Sequence, residues 1–213
     1  MSEPGFNIEE AKNMTIDDEK QSIVVEIIFR KAQKEHSYTA FYAKLCALII
    51  KLELESKGMQ SKQQNAKHSV FRQKMLAYCK TSFESFFNDP PQVNPDINSE
   101  TYEKEVGRIK KLYGNIEFCG DLHRHKILAD ATLWSVFEGL LGLSTGQGIN
   151  KSVNDNTVEA ALRLITKLGP SIDQSLLKPE WKAKNEATVD KIFKQFEYLM
   201  SPESMKPDKL QVS

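Results

Sequence analysis

The stretch YGNIEFCGDLHRHKIL, residues 113–128, holds the residue types that do chemistry, with Cys119, His123 and His125 set among two glycines and several charges. On a helix, Cys119 and His123 are four apart and share a face, while His125 points elsewhere. Zinc takes three or four protein ligands, so two soft ligands on one turn fall short. Cys46 and Cys79 are too far away in sequence to complete a C-x-x-C pair. A cysteine beside a histidine can also be an activated nucleophile, but neither a third orienting group nor an oxyanion hole is marked nearby. The three glycines of GLSTGQG, residues 142–148, follow a helical pattern instead of a strand and lack the Lys-Ser/Thr of a phosphate loop. The residues therefore point to no catalytic group, no metal and no cofactor. A small helical metal-dependent enzyme built on Cys119 and His123 is the alternative of another class, and elemental analysis of the purified protein tests it.

Projected on a helix, Leu112, Ile116, Cys119 and His123 form one arc, widened by Asn115, Phe118 and Leu122, with Glu117, Asp121 and Arg124 opposite. This predicts His123 as a partly buried, hydrogen-bonded core residue and Gly120 as a site of close helix packing. Charge is concentrated on both sides of the stretch, by Arg108, Lys110 and Lys111 before it and by Arg124, His125 and Lys126 at its end. The plain reading of such a cluster is a solvated face, and the sharper one is a patch for phosphates or an acidic partner. It has to act locally, because the 29 Lys and Arg are balanced by 29 Asp and Glu and the formal net charge is zero.

The elements that must position these residues read as helices throughout. Residues 17–34 begin with Asp17 and Asp18, end with Arg30, Lys31 and Lys34, and place Ile23, Ile27 and Ile28 on one predicted core side. Residues 38–55 carry a predicted core stripe of Phe41, Leu45, Leu48, Ile49 and Leu52, with Lys44, Lys51 and Glu55 facing away. The short EHS turn between them makes the two antiparallel neighbours. Phe71, Met75, Tyr78, Phe83 and Phe86 recur at helical spacing over 67–87. NDPPQVNPDINSE breaks the pattern, giving a proline-rich surface loop at 88–99. Helical patterns resume at 101–125, 127–143, 155–168 and 184–200, with predicted stops at GLSTGQGIN, LGPSID and LKPEW. The whole reads as all-α, a single domain of stacked antiparallel helical hairpins with its core at about 6–200 and a flexible tail at 201–213.

Three cysteines at long spacings suit a reducing compartment, and the acidic start, MSEPGFNIEEAKN, has neither the basic end nor the apolar run of a signal peptide. These features predict an intracellular, cytoplasmic chain with no membrane partner.

Against this background YGNIEFCGDLHRHKIL resembles the signature of the middle domain of eukaryotic translation initiation factor 4 gamma, which runs Gly-Asn-Ile, a variable residue, Phe-Ile-Gly-Glu-Leu and then a basic stretch. FYAKLCALIIKLE is similar to that domain's Tyr-Ala-x-Leu/Met-Cys helix, VVEIIFRKAQKEHSYTA to its Ile-Phe-x-Lys-Ala helix and turn, and SVFRQKMLAYCKTSFESFF to its Phe-Arg-x-x-Leu-Leu-x-x-Cys helix. The agreement is collinear over 6–200. It departs where the family has Phe or Tyr at His123 and Ile at Cys119, and where a long charged helix is replaced by the proline-rich loop. Tyr42, Leu45, Cys46, Gly114, Asn115, Ile116, Phe118, Gly120 and Leu122 carry the structural signature. The resemblance implies a HEAT-like α-solenoid without an active site, which binds and stimulates the DEAD-box helicase initiation factor 4A in cap-dependent translation. It also implies weak mRNA contact through a basic patch and, as in some members, contact with initiation factor 3. A motif for the cap-binding protein is lacking. Solvent-facing positions in or beside the signature are the expected contacts for helicase or RNA: His36, Ser37, Lys110, Glu117, Asp121, Arg124 and Lys126. Related middle domains from mRNA decay, nuclear cap binding or splicing are the nearest alternative.

Overall fold

A computed structural model of the chain describes residues 18–59, 63–88, 100–143, 153–176 and 178–201. Seven α-helices account for most of them: α1 (Asp18–Lys34), α2 (Thr39–Ser56), α3 (Val70–Asn88), α4 (Glu100–Arg124), α5 (Asp130–Leu140), α6 (Asp155–Leu176) and α7 (Pro179–Met200). Short 3-10 helices at His36–Tyr38 and Gln63–His68 join α1 to α2 and α2 to α3. Among the described residues there is no strand, so SIVVEIIF folds as helix in spite of its β-branched residues. The chain divides into two compact units, Met1–Asp130 and Ala131–Ser213. The proline-rich stretch 89–99 and the tail from 202 lie outside the described residues.

In the first unit the contacts run in register. Ser22, Phe29 and Gln33 of α1 meet Lys74, Tyr78 and Ser82 of α3, so these helices are parallel. Arg72, Cys79 and Phe86 of α3 meet Ile127, Asn115 and Arg108, so α3 and α4 are antiparallel. Alternate helices parallel and sequential helices antiparallel is the arrangement of stacked hairpins. The core between them is Val25, Phe29, Ala43, Cys46, Phe71, Met75, Ile116, Phe118 and Leu122.

Two predicted faces are rotated. Ile28 is buried, but Ile23 and Ile27 are 52% and 54% exposed, because α1 turns Gln21, Val25, Phe29 and Ala32 inward. On α2 the predicted Ile49 and Leu52 are buried, together with Thr39, Ala43, Cys46, Ile50 and Glu53, but Phe41 and Leu48 are left 52% and 36% exposed. Both helices have apolar residues on more than one side, and neighbouring helices decide which side is covered.

Glu53 is fully buried on α2 and serves α3. Its carboxylate accepts from the Val70 and Phe71 N–H groups at 2.8 and 3.3 Å, from the Ser69 hydroxyl at 2.5 Å and from Lys57 at 2.6 Å. A carboxylate at a helix N-terminus satisfies orphan donors and opposes the positive end of the dipole. Burial favours the neutral acid, but Lys57, Ser69 and Val70 outweigh it and hold Glu53 below the usual glutamate value. At the opposite end of α3, Arg108 donates to the Phe86 carbonyl at 3.1 Å, lies 4.1 Å from that residue's ring centroid and pairs with Glu105.

The second unit holds α6 and α7 with α5. Trp134 donates to Asn185 at 2.8 Å, Lys191 meets Glu138 and Gln195 meets the Leu141 carbonyl, so α5 and α7 are parallel. α6 does not stop at LGPSID; it continues through Gly169 and Pro170 to Leu176. Proline removes one backbone donor at about 3 kcal/mol. The buried series Ala161, Leu164, Leu168 and Ile172 runs across that point and offsets the loss. The stop before α7 is where LKPEW places it, with extended Lys178 ahead of Pro179.

Candidate functional site

Lys110, Gly114, Glu117, Asp121 and Arg124 follow one another on a single stripe of α4 at helical spacing. The turn between α1 and α2 crosses the middle of that stripe. A Cβ on Gly114 would stand 2.4 Å from the Gln33 carbonyl oxygen and 2.7 Å from its Cα, so only glycine lets the end of α1 approach this closely. Gly120, where the sequence predicts close packing, is buried on the same helix.

The turn is held on both sides. Gln33 donates from its side chain to Ser82 at 2.8 Å, and His36 Nε2 donates to the Gln33 carbonyl at 3.1 Å. The other ring nitrogen of His36 stands 4.0 Å from the Glu117 carboxylate. Tyr42 donates to Glu35, which also pairs with Lys31 at 2.7 Å. Burial first and the Glu35 carboxylate second push the Tyr42 hydroxyl up to about 12. Lys31 and then Tyr42 hold Glu35 below its ordinary value. Ser37 and Tyr38 face solvent beside this joint.

Beneath the turn, the signature residues pack. Asn115 donates to the Cys79 carbonyl at 3.3 Å and accepts from Cys119 at 3.7 Å. The bond to Cys119 and burial raise the Cys79 thiol, and burial raises Cys46, so neither thiol is poised to ionise. The three cysteines come from three helices into one core, which long sequence spacing conceals. His123 is 7% exposed and donates to Asp130 at 2.6 Å, tying the end of α4 to the start of α5. Cys119 and His123 are thus turned to different partners. Among the described residues no group of three His, Cys, Asp or Glu side chains is placed to hold a metal ion.

The predicted contact residues therefore separate into three. Asp121 is 1% exposed with Arg124 at 3.7 Å, which corrects its assignment to the solvent face. Glu117 is half-buried under His36. Lys110 and Arg124 are exposed at the two ends of the stripe, about 21 Å apart at 1.5 Å per residue, so the two basic clusters are separate. Beyond Arg124, His125 and Lys126 are also exposed, and Lys126 has a φ of 63°. It closes α4 with a Schellman arrangement, in which its N–H donates to the His123 carbonyl and that of Ile127 to Leu122.

The chain matches the family model for the MIF4G domain over residues 7–211. It belongs to that family. Its relatives include human eukaryotic translation initiation factor 4 gamma 3, 24% identical over 209 residues that cover 91% of this chain and 12% of that protein. Mouse eukaryotic translation initiation factor 4 gamma 1 is 24% identical over 86% of this chain and 11% of its own length. Subunit p130 of eukaryotic initiation factor 4F from Saccharomyces cerevisiae is 22% identical over 86% and 20%. The MIF4G chain described here spans between about a tenth and a fifth of these relatives. Its helical-hairpin fold and the buried Gly-Asn-Ile signature agree with membership. Among the described residues no helix of this MIF4G domain is long and apolar enough to cross a membrane.

Proposed function

We propose that this MIF4G domain is a non-catalytic scaffold in cytoplasmic, cap-dependent translation initiation, and that it binds and stimulates the DEAD-box RNA helicase initiation factor 4A. The observation that carries the reading is the family match over 7–211, supported by the Gly114 contact that makes its signature a device for joining hairpins. A scaffold works by holding a partner's parts in one geometry, which needs a stiff frame and accessible edges. The exposed edges available are the His36–Ser37 turn, Lys110 at one end of the α4 stripe, and Arg124 with His125 and Lys126 at the other. The Arg124–Lys126 turn also suits weak contact with RNA phosphates.

The test is an RNA-stimulated ATPase assay of initiation factor 4A with and without the chain, with co-elution of the two proteins. The expected result is stimulation that weakens in Lys110→Glu and Arg124→Glu, with slower association and altered salt dependence. Absence of both stimulation and co-elution overturns the reading, as does a pull-down that retrieves a different helicase in its place.

A further inference from the structure

α2 shows the solvent a ridge that the fold does not use. Tyr38 is 60% exposed, Phe41 52% and Leu48 36%, with Leu45 half-buried between them. Phe41, Leu45 and Leu48 stand at i, i+4 and i+7, the spacing with which one helix receives another. They span about 10 Å, two turns, which is the reach of a docked helix. Ala43, Cys46, Ile50 and Glu53 pack on the opposite side of α2, and the exposed ridge covers the first half of the helix, giving way to buried Ile49 and Leu52 beyond Leu48.

Charge on the same helix selects the occupant. Lys44 and Lys51 are exposed alongside the ridge. Of the two acidic residues on α2, Glu53 is buried against the start of α3, and Glu55 sits at the far end, 3.8 Å from Lys51. We infer that the Tyr38–Phe41–Leu45–Leu48 ridge of α2 docks an acidic amphipathic helix of a partner protein, whose apolar side covers the ridge and whose carboxylates meet Lys44 and Lys51. Single-stranded RNA is the weaker fit. Base stacking needs aromatic faces, Leu45 and Leu48 have none, and two lysines neutralise few phosphates.

The probe is a fluorescent, lactam-stabilised peptide of about 20 residues, long enough to be helical, with leucines at i, i+4 and i+7 and glutamates beside them. Its control has lysines in place of the glutamates. Anisotropy with the full chain should show the acidic peptide binding more tightly. Phe41→Asp with Leu48→Asp should weaken it by about tenfold. Lys44→Glu with Lys51→Glu should reverse the preference to the basic peptide. Circular dichroism checks that each variant keeps its helicity, and the lysine pair alone decides if the apolar pair does not. Equal binding of the two peptides overturns the proposal, as does binding indifferent to both variants. So does an oligo(U) RNA whose binding falls in these variants while the peptide's does not. The assay contains no helicase, so its failure leaves the helicase reading standing, and the ATPase assay can fail without touching this one.

Discussion

Between Leu112 and His123, α4 is buried on almost every side, with only Tyr113 and Glu117 partly exposed, whereas its neighbour α2 leaves Phe41, Lys44, Leu48 and Lys51 in solvent along its length. The family signature sits in the first of these regions. Its residues are distinctive because several helices crowd them: Gly114 admits the end of α1, Asn115 reaches the Cys79 carbonyl and His123 reaches Asp130. α2 carries the Tyr-Ala-x-Leu-Cys match, yet of that motif only Ala43 and Cys46 are fully buried. A recognisable motif in this protein therefore marks packing, and the exposed apolar and charged side chains lie where the motif thins out.

Two glycines of α4 give the sharpest way to break that contrast. Gly114→Ala places a methyl against the Gln33 backbone, which cannot retreat as a flexible side chain would, and should lose about 2–3 kcal/mol by overpacking. Gly107 has nothing within 4 Å of its would-be Cβ, so Gly107→Ala should gain about 0.5–1 kcal/mol from helix propensity. Urea unfolding of both variants measures the difference; equal effects would mean that the turn does not press on α4.

Glu53 extends the test to a buried charge. Glu53→Gln keeps the shape but loses charge-assisted bonds to α3 and Lys57, with an expected loss of about 2 kcal/mol at neutral pH. Its folded value lies below the unfolded one, so the contribution is complete above the unfolded glutamate value, about 4.3, and disappears as pH falls through the folded value. The gap between wild type and variant should therefore close as the solution is acidified. A gap independent of pH would show that Glu53 acts through shape alone.

Much of this architecture was legible in the residues. Pro179 opens α7 and Gly142, at φ 64°, follows the end of α5, each because a helix end needs a particular backbone. The choice of face on α1 and α2 was not, since Ile23 and Phe41 are as apolar as Val25 and Ala43 and only the arrival of α3 and α4 separates them. The same holds at the site. Periodicity placed Asp121 with Glu117 and Arg124 correctly along one stripe, but no local pattern says that a charged residue on it is enclosed. The continuation of α6 past Pro170 is a further case, where an apolar face maintained from Ala161 to Ile172 outweighs a local breaker.

Lys126 lies between the two extremes, an exposed residue in a backbone shape that favours glycine. A non-glycine residue at a left-handed helix end costs about 1 kcal/mol. Lys126→Gly should return about that much, seen as a higher urea midpoint. If RNA contacts this turn, the variant should also bind a single-stranded oligonucleotide with a smaller salt dependence. Stability unchanged by the substitution would show that the Schellman bonds to Leu122 and His123, and not φ, set the energy of the turn.

The smallest expected effect is on the ridge of α2. Phe41→Asp removes a large apolar side chain, which in the core would cost several kcal/mol. At 52% exposure much of that side chain is already in water, and its ring contact is with Tyr42 of the same helix at 5.7 Å. Folding stability should therefore change by no more than about 0.5 kcal/mol, the range of ordinary surface positions. A thermal or urea melt of this variant beside Gly114→Ala compares two conspicuous residues, one held by the fold and one left free by it. A loss of more than 2 kcal/mol from Phe41→Asp would place the ridge in the packing of the domain and remove its availability to a partner helix.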